Sequence, residues 1–164
     1  MVAYPTEAVY GLGCNPYDAA AVARVMGLKG RPQGKGFILI AADFGQLAPL
    51  LAPVGEEARQ RLHSTWPGPV TWVMAAAPAA PDWLVGGGSL AVRVTAHPLA
   101  AALCRAFGGP LVSTSANPSS AAPARTAVKV RGYFGDAVHV LAGALGPERR
   151  PTAIYELNSG RRLR

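Results

Sequence analysis

Ser89-Leu90-Ala91-Val92-Arg93-Val94, then His97 to Phe107, then Leu111-Val112 running into Ser113-Thr114-Ser115-Ala116-Asn117, is the stretch whose reading settles the fold class. In residues 89–94, Leu90, Val92 and Val94 face one side and Ser89, Ala91 and Arg93 the other, the two-residue period of a strand. An arginine inside a strand must reach solvent or pair with a buried anion. His97 to Phe107 reads as a helix, with Pro98 in its first turn and Gly108 as its stop. Leu111-Val112 is a short apolar strand that opens into a loop of three hydroxyls and an amide.

The same alternation continues outward on both sides. Val2 to Tyr4 predicts a strand ended by Pro5, and Asp18 caps a helix from Ala19 to about Leu28. Lys29 to Gly36, with three glycines and a proline among three cations, predicts a loop. Phe37 to Ala41 predicts a buried strand, followed by a helical region through Leu62 broken near Pro53. Val70 to Met74 is a further strand, leading into a Pro- and Gly-rich connection that ends at Gly86-Gly87-Gly88. Thr126 to Phe134 predicts a helix, and Val138 to Leu141 and Ile154 to Leu157 predict strands. Strands alternating with helices predict an α/β (α+β) class, a twisted mixed sheet with flanking helices, whose strand order the connections do not fix.

At 164 residues the chain makes one domain, spanning 1–164. Half of it is hydrophobic and 15% is charged, a foldable globular composition. Sixteen basic against nine acidic residues give +7, which favours anionic partners such as nucleotides, nucleic acid or phosphorylated metabolites. Cys14 and Cys104 stand far apart with no CxxC neighbour, which argues against a disulfide framework or a zinc-thiolate site. The longest apolar stretch, Pro69 to Pro81, is interrupted by prolines and too short to span a bilayer. No signal peptide is visible, so a soluble, cytoplasmic protein with no membrane partner is expected. The first residues read as a strand already under way, which suggests a lost or unannotated upstream segment.

Several familiar sites are missing. No GxxxxGK[ST] loop occurs, Pro16 replaces the third glycine of a dinucleotide fingerprint begun at Gly11-Leu12-Gly13, and no Gly-x-Ser-x-Gly elbow is present. His63, His97 and His139 are dispersed without metal-ligand spacing. Four segments remain. Lys29-Gly30-Arg31-Pro32-Gln33-Gly34-Lys35-Gly36 gathers two of the three lysines around an arginine, which suits either a polyphosphate or a solvated surface loop. Ser113 to Asn117 follows a strand, where α/β folds bind ligands, although a Ser/Asn-rich turn would look the same. Arg93 and the pair Thr6-Glu7, leaving the first strand together, complete the set.

Taken jointly, Tyr4 to Cys14, Lys29 to Pro32 with Lys35-Gly36, Trp66-Pro67-Gly68-Pro69-Val70-Thr71, Leu90 to Val94 and Ser113 to Asn117 resemble the YrdC/TsaC family in order and spacing. Members of that family are L-threonylcarbamoyladenylate synthases of tRNA modification. The resemblance implies a twisted mixed sheet around a concave, positively charged cavity. It implies an enzyme, a nucleotidyltransferase that joins L-threonine, bicarbonate or CO2 and ATP into threonylcarbamoyl-AMP and pyrophosphate. Carried over by motif, Thr6, Arg93 and Ser113 resemble threonine contacts, and Lys29, Arg31, Ser115 and Asn117 resemble ATP contacts. Lys35 and Thr152 match less specific parts of the pattern.

No nucleophile or general base is expected from the protein. Lys29, Arg31, Lys35 and Arg93 would hold the anionic reactants together and stabilise charge. Mg2+ is expected with ATP, its ligands coming mostly from phosphates and none from a dedicated protein cage. The implied partners are threonylcarbamoyl-transfer proteins, with tRNA or other RNA contact open. Family members usually carry an additional N-terminal helix before the position of Val2, which this chain lacks. Two other readings remain: a non-enzymatic RNA-binding protein, for which no aromatic RNP pair or GXXG loop is present, and a carbamoyl-adenylate-forming domain, whose usual companion segments are missing.

Overall fold

A computed structural model describes residues 1–30 and 36–164. Its strands are β1 (Val2–Pro5), β2 (Tyr10–Cys14), β3 (Ile38–Ala41), β4 (Val70–Ala75), β5 (Ser89–Val94), β6 (Leu111–Ser115), β7 (His139–Val140) and β8 (Ala153–Glu156). They form one sheet in the order β7-β1-β2-β6-β3-β5-β4-β8. Pairs β1/β7, β3/β5 and β4/β8 are parallel and the other four antiparallel, so the sheet is mixed, as expected. The strand order comes from long-range pairing, β3 inserting between β5 and β6, which no local pattern announces.

Helices α1 (Ala19–Lys29), α2 (Glu56–Thr65), α3 (Pro98–Phe107) and α4 (Ala127–Phe134) start and stop on local chemistry. The Asp18 carboxylate accepts from the Ala21 amide, and Gly30 at φ 57° closes α1 in the left-handed conformation. His97 caps α3 by accepting from the Ala100 amide, Pro98 follows, and Gly108 ends it at φ 81°. Among the described residues no helix is long and apolar enough to cross a membrane.

The alternation of side chains sorts the sheet into two unlike faces. Leu12, Leu39, Ala41, Val92, Val94, Val112, Trp72 and Met74 point to the larger core, joined by Val22 and Val25 of α1, Leu62 of α2, and Val130 and Phe134 of α4. The opposite face has a smaller core, in which α3 lays Ala100 and Cys104 on Tyr4, Ile40 and Leu111. That single helix covers only part of the second face. The uncovered part carries the cavity described below.

Element ends shift by one to three residues in several places, and the helical region expected before Leu62 is two short 3-10 turns, Phe44–Gln46 and Ala48–Leu50, followed by α2. Three further differences bear on the site. Strand β2 was not foreseen, because its two glycines break the apolar pattern. A Cβ at Gly13 would lie 2.4 Å from the Val112 carbonyl oxygen, so close strand pairing there needs a glycine. Strand β6 extends through Ser115, so Ser113, Thr114 and Ser115 belong to a strand and not to the loop predicted for them. Lys29 is the last residue of α1 and not the first of a loop, since Gly30 supplies the left-handed stop.

Candidate active site

The open part of the second face is the floor of a cavity of about 640 Å³. Gly11 of β2, Ser113 and Ser115 of β6, Ile38 of β3, and Ala91 and Arg93 of β5 form its centre. The register explains the assembly: Gly13 pairs with Ser113, Ser113 with Ile38, Ile38 with Ala91, and Ala91 with Val73, so these positions share one face across the strands. A Cβ on Gly11 would sit 3.2 Å from both Ser113 Oγ and Thr6 Cγ2, so a glycine keeps those two hydroxyl-bearing side chains close across β2. Thr6 is fixed in the turn between β1 and β2: its amide and its Oγ1 both donate to the Val9 carbonyl, Oγ1 at 2.7 Å. Its hydroxyl oxygen keeps lone pairs to accept with.

Arg93 is 5% exposed. Its Nη1 donates to Thr152 Oγ1 at 2.9 Å, and its Nη2 lies 3.2 Å from Glu7 Oε2. Among the described residues its Nε has no hydrogen-bond partner. The other carboxylate oxygen of Glu7 accepts from Thr95 Oγ1 at 2.7 Å and from the Ala96 amide at 3.1 Å. The buried anion that an arginine in a strand requires is therefore Glu7, from the turn after β1. Thr152 stands just before β8 and is placed over Arg93 by the parallel pairing of β8 with β4.

The chain's last residues enter the same cavity. Leu163 and Arg164 run back along β8, where the Leu163 amide donates to the Ile154 carbonyl at 2.7 Å. Arg164 Nη2 donates to the Thr152 carbonyl at 3.0 Å. Partial burial, and then the charge of Arg93, pull the Arg164 pKa below the usual arginine value. Glu7 balances Arg93, so the second guanidinium, Arg164, leaves a positive charge beside Thr152 and a place for an anion.

Lys29 is 3% exposed and closes the wall behind Ser115. Its Nζ donates to the Ser115 carbonyl at 2.5 Å and to the Asn117 carbonyl at 2.7 Å. It thus ties the end of α1 to the end of β6, a buried position that a loop cation would not have. Asn117 is also buried: its Nδ2 donates to the carbonyls of Pro118 at 2.8 Å and Ala121 at 2.7 Å, holding the turn after β6.

Of the residues singled out in the sequence, Thr6, Arg93, Ser113, Ser115 and Thr152 line the cavity together. Lys29 and Asn117 shape its wall from behind. Arg31 and Lys35 lie outside the described residues. Glu7 and Arg164 were not named as site residues. The requirement of Arg93 for a buried anion, beside the Thr6-Glu7 pair, was a usable signal for Glu7, whereas Arg164 is brought in only by the long-range pairing of the last residues. A second hollow of about 690 Å³ lies on the other face, walled mainly by apolar groups including Phe44, Leu62, Trp66 and Val94. It contains none of the candidate substrate or ATP contacts, although Trp66, Pro67 and Val94 of the motif segments line it.

A mixed sheet that leaves hydroxyls and two guanidiniums facing one cavity offers hydrogen-bond donors and positive charge to a small anionic ligand. The model of the Sua5/YciO/YrdC family, described as "Telomere recombination", matches residues 1–164, and the chain belongs to this family. A threonylcarbamoyl-AMP synthase of Halorhodospira halophila is 58% identical over 166 residues, covering 100% of this chain and 87% of that protein. One from Methylococcus capsulatus is 55% identical over 170 residues, covering 100% and 89%. Among solved structures, P. abyssi Sua5 complexed with L-threonine superposes with a TM-score of 0.89 at 34% identity. That match covers 95% of this chain, which spans 46% of the Sua5 chain.

Proposed function

We propose that the chain is a threonylcarbamoyl-AMP synthase, converting L-threonine, bicarbonate or CO2 and ATP into threonylcarbamoyl-AMP and pyrophosphate for tRNA modification. One observation carries this reading beyond the family: Thr6, Arg93, Ser113, Ser115 and Thr152, drawn from four separate segments, meet in one cavity. Arg93, steadied by Glu7 and Thr152, takes the threonine carboxylate. Thr6 and Ser113 take the threonine hydroxyl. Ser115 faces ATP, with its strand end held by Lys29, and Arg31 and Lys35 are assigned to the phosphates. The threonine amine adds to CO2 to give a carbamate, whose oxygen attacks the α-phosphorus while pyrophosphate leaves. The site works by proximity and by charge placed before reaction.

Mg2+ enters with ATP in this scheme. Glu7, the carboxylate beside the cavity, is committed to Arg93, Thr95 and Ala96, so it does not fit as a metal ligand. The phosphates would hold the ion and offset their own charge. The product's labile acyl group calls for transfer proteins acting next, on tRNA.

The test is pyrophosphate release from ATP and bicarbonate by the purified chain, with and without an amino acid. Threonine is expected to be the best substrate, serine weaker by the loss of one methyl, and valine close to inactive. Valine matches threonine in shape but leaves the polar groups built for its hydroxyl unpaired, about 1–3 kcal/mol each. No stimulation by any amino acid, or valine turning over as well as threonine, would overturn the reading.

A further inference from the structure

We infer that Glu7 is a positioning residue for amino-acid binding, a fixed post that aims the Arg93 guanidinium into the cavity. This rests on the synthase reading above. Glu7 is 4% exposed and does not depend on Arg93 for its own place. Its Oε1 is pinned by the Thr95 hydroxyl and the Ala96 amide, one residue past the end of β5 and beyond. Its backbone is clamped as well: the Glu148 amide donates to the Glu7 carbonyl at 3.0 Å, and the Gly146 amide to the Thr6 carbonyl at 3.0 Å. At Gly146 a Cβ would fall 2.8 Å from the Glu7 Cα, so that clamp lies tight against the turn.

Oε2 is left to face Arg93 Nη2 at 3.2 Å. A hydrogen bond to Thr152 on one side and the ion pair with Glu7 on the other thus hold the guanidinium in place. Nη1 and Nη2 each keep a second N–H for a ligand, whereas Nε is buried away from the cavity. A planar fork recognises a carboxylate only when its plane is already set, which is what a second, supporting carboxylate provides. The same pairing leaves Arg93 with little net charge of its own. An incoming carboxylate is then selected by hydrogen-bond geometry more than by raw attraction.

Glu7→Gln separates this role from simple structural support. The amide keeps one oxygen for Thr95 and Ala96 but turns an NH2 toward Nη2, setting donor against donor. The Michaelis constant for L-threonine is expected to rise about 10- to 100-fold, as misplacement of a binding group does, with that for ATP changed less than about twofold. In Arg93→Lys protein the same substitution is expected to add little, because its effect runs through Arg93. Should Glu7→Gln fail to fold, Thr95→Val loosens the pin on Oε1 while keeping the ion pair, and is expected to raise the threonine constant alone. An unchanged threonine constant, an equal rise for both substrates, or full additivity with Arg93→Lys overturns the inference. Absence of threonine-dependent turnover in the unsubstituted chain would instead overturn the synthase reading.

Discussion

One face of the sheet is built twice over, with opposite chemistry. Under α3 it presents Tyr4, Ile40 and Leu111, all buried against Ala100 and Cys104. A few residues along the same strands it presents Ser113 and Ser115 on β6 and Ile38 on β3, open to the cavity. Leu111 and Ser113 are neighbours on one side of one strand, and what separates them is the edge of a helix. The switch from apolar to hydroxyl side chains therefore marks where cover ends and substrate begins. Arg93 sits at that border, paired in register with Ile40 of the covered part. A charge can stand there because Glu7 meets it from the turn after β1.

The covered part should fail by losing stability. Ile40→Ala removes a side chain with no exposed surface from beneath α3, and a cost of about 2–5 kcal/mol is expected. Urea unfolding would show it as a lowered midpoint. Ser113→Ala, two residues beyond the covered Leu111 on the same face, removes one hydroxyl and no packed methylene, and should cost about 1 kcal/mol or less, well below Ile40→Ala. Equal losses for the two would erase the distinction between the halves.

Lys29→Ala tests the border from behind. The ammonium is buried and donates to two carbonyls, so removing it is expected to lower stability as well as activity. Hydrogen bonds to a charged group contribute about 1.5–3 kcal/mol, and both carbonyls would lose theirs. A lysine on a solvated loop would instead lower activity with the melting temperature unchanged. Measuring both on one preparation distinguishes the buried tie from the surface cation that its glycine-rich neighbourhood suggests.

In the open part the damage should fall on one substrate. Arg93→Lys keeps the charge but not the planar fork, and the threonine constant should rise about tenfold or more, by the loss of one charge-assisted bond. The ATP constant should move far less. Comparable rises for both would make Arg93 a general cation of the cavity.

Much of this division was legible in the sequence, and the illegible parts have physical causes. The alternation in Ser89–Val94 placed Arg93 opposite the apolar side, and the two-residue period carried through to the structure. The cap at Asp18, Pro98 in a first turn and the stop at Gly108 placed α1 and α3 to within a residue or two. Strand β2 stayed hidden because glycine, chosen there for close approach to Val112, carries no β signature of its own. Lys29 was misplaced because three nearby cations read as a loop, whereas its partners, the carbonyls of Ser115 and Asn117, lie 86 and 88 residues away. Arg164 gave no sign at all, since only the tail's pairing with β8 delivers it to Thr152. Local periodicity finds the faces of a sheet. The long-range pairings decide which part of a face is left uncovered.

The smallest effect concerns the two thiols, and it separates the two cores by pH. Cys104 faces the sheet from α3 and Cys14 lies in the larger core; burial pushes their pKa values up to about 12 and about 11. An unfolded thiol loses its proton near pH 8.5, while the native thiols keep theirs. Above pH 8.5 the unfolded chain therefore binds fewer protons than the native one, so stability must fall as pH rises, and the fall ends only past the native values. Between pH 8.5 and 9.5 each thiol is expected to contribute a loss of about 1 kcal/mol, from 1.36 kcal/mol per unit. Urea midpoints at pH 7.5, 8.5 and 9.5 would show it, and neither thiol should react with a thiol reagent at pH 7.5 in the native protein. Cys104→Ala should lower the midpoint at every pH but flatten its descent. A descent unchanged by that substitution would mean that the thiol on the inner side of α3 ionises as freely as one in water, and that the cover over this half of the sheet is looser than its packing.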